Sequence, residues 1–113
     1  MNQYEGKLKD PLNDRLFEAV LTLETIDDCY RFFEDICTVA ELRALAQRLE
    51  VAKMLQANRT YSEIAEKTGA STATISRVKR CLNYGADGYK TVLERLAKKE
   101  KGLEKPLDEQ GRD

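Results

Sequence analysis

The chain has 113 residues, of which 42% are hydrophobic and 35% are charged, and its formal net charge is −1. This composition excludes a disordered chain, and we expect one folded domain over residues 1–100 followed by a polar, frayed tail over 101–113. No apolar run approaches the roughly 18 residues of a membrane span, and no signal pattern opens the chain. We therefore expect a cytoplasmic protein.

The residue types needed for the commonest catalytic and metal sites are missing. The chain has no histidine, which removes the usual general base and the Ser-His-Asp and Cys-His arrangements. Cys29, Cys37 and Cys81 lack C-x-x-C spacing, and no glycine-rich phosphate loop is present. We expect no enzyme, no metal site and no cofactor, and three reduced, packed thiols.

Hydrophobic periodicity predicts helices throughout the first half of the chain. A stripe of apolar residues predicts a first amphipathic helix over about 11–23. A second helix opens at Thr25 and is apolar over most of its circumference, so we expect it to be largely enclosed, with another subunit as one candidate for the cover. Thr38 and Glu41 have capping-box spacing and start a third helix over about 39–56.

Three further helices complete an all-α fold. A second capping box, Thr60 with Glu63, starts the fourth helix, which ends at Gly69. A fifth helix, capped by Ser71 or Thr72, extends to about residue 82. A turn then leads to a sixth helix, for which Asp87 is a candidate N-cap.

Residues 61–82 have the pattern of a helix-turn-helix. Ile64 and the small Ala65 lie on its first helix, and Ile75 and Val78 are three apart on its second. Gly69 falls in the sharp turn, where it can adopt a positive φ without the penalty of a Cβ atom. These positions predict a DNA-binding protein.

The charge distribution agrees with this prediction once it is counted by region. Residues 48–82 carry seven Lys or Arg against three Asp or Glu, whereas residues 1–47 carry five against ten. Phosphate neutralisation supplies much of the affinity for double-stranded DNA. The local positive charge at the motif is therefore more relevant than the net charge of the chain.

The second motif helix presents small polar and cationic side chains outward. We expect Thr72, Ala73 and Ser76 to contact base edges, and one of Arg77 and Arg80 to read a base while the other clamps a phosphate. The complete set of predicted DNA-contacting residues is Ser62, Lys67, Ser71, Thr72, Ala73, Ser76, Arg77, Lys79 and Arg80.

The segment Leu45 to Leu55, followed by Thr60 to Leu82, resembles the tryptophan repressor family, and Thr68 to Arg80 resembles its related subgroup labelled YerC/YecD. The similarity covers roughly residues 10–100. The resemblance implies a six-helix fold in an intertwined homodimer whose recognition helices enter successive major grooves of a near-palindromic operator. Repression is the family's usual action.

The family holds its tryptophan co-repressor between two arginines, which correspond to Arg48 and Arg77. The residue after the second arginine is glycine in the tryptophan-sensing repressor, but it is Val78 in this chain. A valine side chain would occupy the volume that the indole needs. We therefore expect a former effector site at Arg48, Arg77 and Val78 that no longer takes tryptophan.

Two other functions stay open at this point. The chain could be a helical protein-interaction module that keeps the helix-turn-helix shape and docks through its acidic first 47 residues. It could also be a regulator gated by another small molecule at Arg48 and Arg77.

Overall fold

The computed structural model of the chain describes residues 3–104, which form six α-helices and no strand. The helices are α1 (Pro11–Val20), α2 (Ile26–Ile36), α3 (Val39–Gln56), α4 (Tyr61–Thr68), α5 (Thr72–Tyr84) and α6 (Gly88–Glu104). The predicted all-α, six-helix fold is confirmed. Within this range no helix combines the length and the apolar character that crossing a membrane requires.

The described residues form two compact units, which divide between Leu42 and Arg43. The single domain expected over residues 1–100 stays a prediction. The boundary falls early in α3. At the other end, α6 continues to Glu104 and so includes the first part of the predicted tail. The rest of that tail, residues 105–113, lies outside the described residues.

In the first unit, α1 is shorter than predicted. Its N-terminus is capped by Asp10, but the helix ends at Val20 instead of residue 23. The amides of Thr22 and Leu23 bond to carbonyls only three residues back, and the Thr22 hydroxyl donates to the Ala19 carbonyl at 2.6 Å. This side chain competes for a carbonyl that would otherwise continue the helix, which explains the early end.

The apolar side chains of α1 and α2 are not enclosed. Thr25 caps α2 as predicted, but neither helix contains a buried residue. Leu21 is 83% exposed and Ile26 is 75% exposed. The enclosure expected for α2 is therefore absent from the described part of this chain.

The second unit contains the hydrophobic core. Val51 of α3, Ile64 of α4, and Ile75 and Val78 of α5 are its largest fully buried side chains. Leu93 extends the same cluster to α6. Because all four helices contribute to one cluster, the helix-turn-helix is held on a support made by α3 and α6.

The predicted capping boxes are confirmed at α3 and α4. In each box the threonine hydroxyl accepts from the glutamate amide at 3.1 Å, and the glutamate carboxylate accepts from the threonine amide at 2.9 Å. Asp87 directly precedes α6, as predicted for its N-cap, and its carbonyl accepts from the Thr91 amide at 3.0 Å. Asp87 has a φ of +67°, and its carboxylate lies 4.0 Å from Lys90 Nζ.

The turn between α4 and α5 depends on Gly69, which has the predicted positive φ of +76°. Its amide donates to the Ala65 carbonyl at 2.8 Å and closes the end of α4. The Gln47 side chain donates to the neighbouring Thr68 carbonyl at 3.1 Å, which ties α3 to the same turn. Hydrogen bonds from α4 and from α3 thus hold the turn.

We expect Gly69→Ala to lower the free energy of unfolding by about 1–2 kcal/mol, because an L-residue is strained at this φ. A steric clash is not the cause, since a Cβ at this position would lie 3.9 Å from its nearest neighbour. Urea unfolding at a fixed protein concentration measures the change.

Gly88→Ala is the matched control for this prediction. Gly88 does not have a positive φ, and a Cβ placed on it meets nothing within 4 Å. Equal stability of the Gly69→Ala variant and the unsubstituted chain would contradict the role assigned to the turn.

Candidate nucleic-acid interface

Helix α5 has one buried face and one exposed face. Ile75, Val78 and Leu82 are buried, and their spacing of three and four residues puts them on one side of the helix. The remaining circumference is left to short polar side chains and to cations. The core therefore fixes which side of α5 is available to a partner.

The nine residues predicted to contact DNA are all exposed, and the structure distributes them over the helix-turn-helix. Thr72, Ala73, Ser76, Arg77, Lys79 and Arg80 lie on α5, Ser62 and Lys67 lie on α4, and Ser71 caps α5. We call the group Thr72, Ala73, Ser76, Arg77 and Arg80 the exposed face of α5.

Ser71 has a structural role at the beginning of α5. Its hydroxyl oxygen accepts a hydrogen bond from the Thr74 amide at 3.1 Å, and its hydroxyl lies 3.1 Å from Thr74 Oγ1. An N-cap of this kind stabilises a helix by about 1 kcal/mol. The Ser71 side chain is thus engaged within the protein, and a contact with DNA would fall to its backbone.

Arg77 and Arg80 on the exposed face of α5, together with Lys67 on α4, place exposed positive charge on the helix-turn-helix. Among the ion pairs of residues 3–104, none includes Arg77, Arg80 or Lys67. These three side chains carry positive charge on the surface without a carboxylate at bonding distance. Phosphate is a suitable counter-charge for such groups.

At the beginning of α4, Arg59 and Tyr61 lie beside the candidate interface, and neither was predicted from the sequence to contact DNA. Arg59 donates to the Glu63 carboxylate at 3.2 Å. The pKa of Glu63 is lowered, first by the hydrogen bond from the Thr60 amide and then by Arg59. Tyr61 packs against the core with the Lys79 ammonium 5.9 Å from the centre of its ring. Arg59 and Tyr61 flank Thr60 of the predicted capping box, so the sequence did indicate that their backbone is fixed.

Val78 is 1% exposed and belongs to the core cluster. Arg77 is exposed beside it, and Arg48 on α3 is half-buried. The isopropyl group of Val78 thus packs in the interior of the helix-turn-helix. We expected this packing because the tryptophan-sensing repressor has a glycine at the matching position.

The three cysteines are free thiols. Cys29 and Cys81 are exposed and only Cys37 is half-buried, so the prediction of three packed thiols is wrong for two of them in the isolated chain. Between residues 3 and 104, no three His, Cys, Asp or Glu side chains are grouped so that they could hold a metal ion.

The comparisons with known proteins agree on one family. The model of the Trp repressor protein family matches residues 12–97. The uncharacterised protein YerC of Bacillus subtilis (strain 168) is 55% identical over 94 residues, which are 83% of this chain and 90% of that protein.

Two solved structures agree with this result. A TrpR-like protein from Eubacterium eligens ATCC 27750 superposes with a TM-score of 0.78 at 62% identity, over 80% of this chain and 94% of that one. A Staphylococcus aureus protein proposed to be a Trp repressor gives a TM-score of 0.77 at 53% identity, over 80% and 91% of the two chains.

The fold and the exposed helix-turn-helix are those of a DNA-binding regulator. Within that class, the chain belongs to the Trp repressor family and is of the YerC type.

Proposed function

We propose that this protein is a homodimeric, sequence-specific transcriptional repressor that reads a near-palindromic operator with α5. The observation that carries the proposal is the division of α5 into a fully buried apolar face and an exposed face of small polar residues and unpaired arginines. In a helix-turn-helix, the second helix presents such a face to the major groove.

The chemistry of the exposed face suits the major groove. Thr72 and Ala73 at the first turn of α5 are small, so the backbone can approach the base edges, and their methyl groups can contact a thymine methyl. Ser76 follows one turn later. Arg77 and Arg80 extend further and carry the charge that either a guanine or a phosphate attracts.

Several large apolar side chains favour a homodimer. Leu21 and Ile26 lie close together in the chain and are mostly exposed, as are Phe17 and Tyr30 on α1 and α2. Monomeric proteins rarely expose so many apolar groups in one segment. A second copy would bring the same faces to a two-fold interface and would place two copies of α5 at a fixed spacing.

We propose further that L-tryptophan is not an effector of this regulator. Support comes from the burial of Val78 in the core, because its side chain occupies space next to Arg77 that a ligand held between Arg48 and Arg77 would need. Without a ligand requirement, the helix-turn-helix would bind DNA in its apo form.

Selection of bound duplexes from a random pool tests the proposal. We expect two half-sites related by a two-fold axis, with centres about 34 Å apart. On the selected duplex, Ala substitution of the arginine that reads a base should cost about 1–3 kcal/mol and relax the preference at one position. Substitution of the arginine that clamps a phosphate should weaken binding to all sequences and flatten the salt dependence.

Arg95→Ala is the control for the loss of one arginine charge, because Arg95 is exposed on α6 and lies outside the helix-turn-helix. The proposed face is wrong if Arg77→Ala and Arg80→Ala both bind the selected duplex like the unsubstituted protein. Failure to enrich any sequence would favour the protein-interaction module instead.

Sedimentation of Phe17→Asp tests the homodimer. We expect the unsubstituted protein to sediment at twice its chain mass of 12.9 kDa. Phe17→Asp should shift it towards the monomer, since a charge would be buried without a partner. Arg15→Asp is the matched control, because Arg15 lies about 200° around the same helix. A monomeric unsubstituted protein would refute this part of the proposal.

Calorimetric titration with L-tryptophan tests the effector assignment. No saturable heat is expected, and the affinity for the selected duplex should be the same with and without the amino acid. Micromolar binding that tightens DNA affinity would contradict the assignment and would show that the core around Val78 opens for the ligand.

A further inference from the structure

A groove with a cationic rim lies beside the helix-turn-helix in the second unit. Its volume is about 470 Å³, and it is bounded by the end of α3, the beginning of α4, the last turns of α5 and the first turn of α6. Leu55 and Leu82 contribute apolar lining, and Arg59, Lys79 and Lys90 contribute positive charge. We call this feature the basic groove. No carboxylate is among its lining residues.

A local backbone motif places Arg59 at the groove. The Arg59 amide donates to the Met54 carbonyl at 3.1 Å, and the Asn58 amide donates to the Leu55 carbonyl at 3.0 Å. These two bonds, with Asn58 at a φ of +62°, form a Schellman motif at the end of α3. The direction in which the chain leaves α3 is therefore fixed, and it determines the position of the Arg59 backbone.

The cations of the basic groove are available to a stronger anion. Arg59 pairs with Glu63 at 3.2 Å and Lys90 faces Asp87 at 4.0 Å, and both cations are about half-exposed. Exposed pairs of this kind contribute little, typically about 0–1 kcal/mol. Lys79 rests near the Tyr61 ring and appears in none of the ion pairs found among the described residues. An approaching phosphate would meet no strong competitor.

The basic groove continues the exposed face of α5. Lys79 is three residues after Ser76 and seven after Thr72, so the three side chains share one stripe of the helix. Lys79 lies about 10 Å along the axis from Thr72, which is about two helical turns. If the N-terminal turn of α5 contacts the base edges, Lys79 therefore lies further from them, towards the sugar-phosphate backbone.

We propose that the basic groove grips a phosphate of the DNA backbone flanking each half-site, through Arg59, Lys79 and Lys90. This inference rests on the proposed function of α5 and adds Arg59 and Lys90 to the interface. Charge complementarity and continuity with the exposed face of α5 select the DNA backbone as the occupant. The contact is to phosphate and adds affinity without adding base preference.

Lys90→Gln measures the contact on the full-length dimer, with a selected duplex extended by roughly ten base pairs on each side. Because Lys90 is one of three cations on one phosphate in each protomer, its loss should make the slope of log affinity against log salt shallower by up to about 2. At about 0.15 M salt the affinity should fall on the order of tenfold, with the base preference unchanged. On a duplex trimmed to the half-sites, the variant and the unsubstituted protein should bind equally.

Asp87→Asn should act in the opposite direction, because it frees Lys90 and removes a negative charge beside the groove. This second variant keeps the test informative if Lys90→Gln alters folding. Lys98→Gln and Glu94→Gln are matched controls, since these residues form a similar pair at 3.6 Å further along α6. Neither control should change the affinity or the salt slope.

Two results would overturn the assignment. One is that Lys90→Gln keeps the affinity and slope of the unsubstituted protein on the extended duplex. The other is that it weakens binding equally on trimmed and extended duplexes, which would mean that the groove binds something other than flanking DNA. If the unsubstituted protein binds no duplex at all, the proposed function fails as well, so the two failures are distinguishable.

Discussion

Burial of Ile64, Ile75 and Val78 against Val51 is the interaction on which the helix-turn-helix depends. These four side chains come from α3, α4 and α5, and each contributes about 1.5–3 kcal/mol when it is removed from water. Because Ile75 and Val78 occupy one side of α5, the opposite side is left free for small polar residues and arginines. The core therefore determines the orientation of the exposed face.

The same packing supports the proposal that this protein is not gated by tryptophan. Where a glycine would leave a space beside Arg77, Val78 fills the core and holds α5 without a ligand. On the proposal that tryptophan is not an effector, the stability of the helix-turn-helix and its independence from that amino acid have one physical cause. The turn at Gly69 and the hydrogen bond from Gln47 fix the remaining freedom between α4 and α5.

Charge supplies the second constraint, and it acts locally. The net charge of −1 conceals a cationic segment around the helix-turn-helix and an acidic first part of the chain. Arg77 and Arg80 have no carboxylate partner among the described ion pairs, while Arg59 and Lys90 have weak, exposed ones. Affinity for a phosphate backbone depends on such groups and on their positions more than on the total.

Local signals predicted the structure well where a single side chain decides the outcome. The capping box at Thr38 correctly predicted the start of α3, and Gly69 correctly predicted the turn between α4 and α5. The end of α1 was missed because the Thr22 hydroxyl takes a carbonyl that periodicity alone does not consider. The basic groove was beyond the reach of the sequence, since Arg59 and Lys90 are brought together only by the packing of α3, α5 and α6.

Amide chemical-shift mapping of the protein on addition of its selected duplex tests the central claim most directly. If α5 reads DNA, the largest shifts fall on residues 71–80, with smaller ones at the beginning of α4. Shifts that concentrate on α1 and α2, while the exposed face of α5 stays unchanged, would contradict the account.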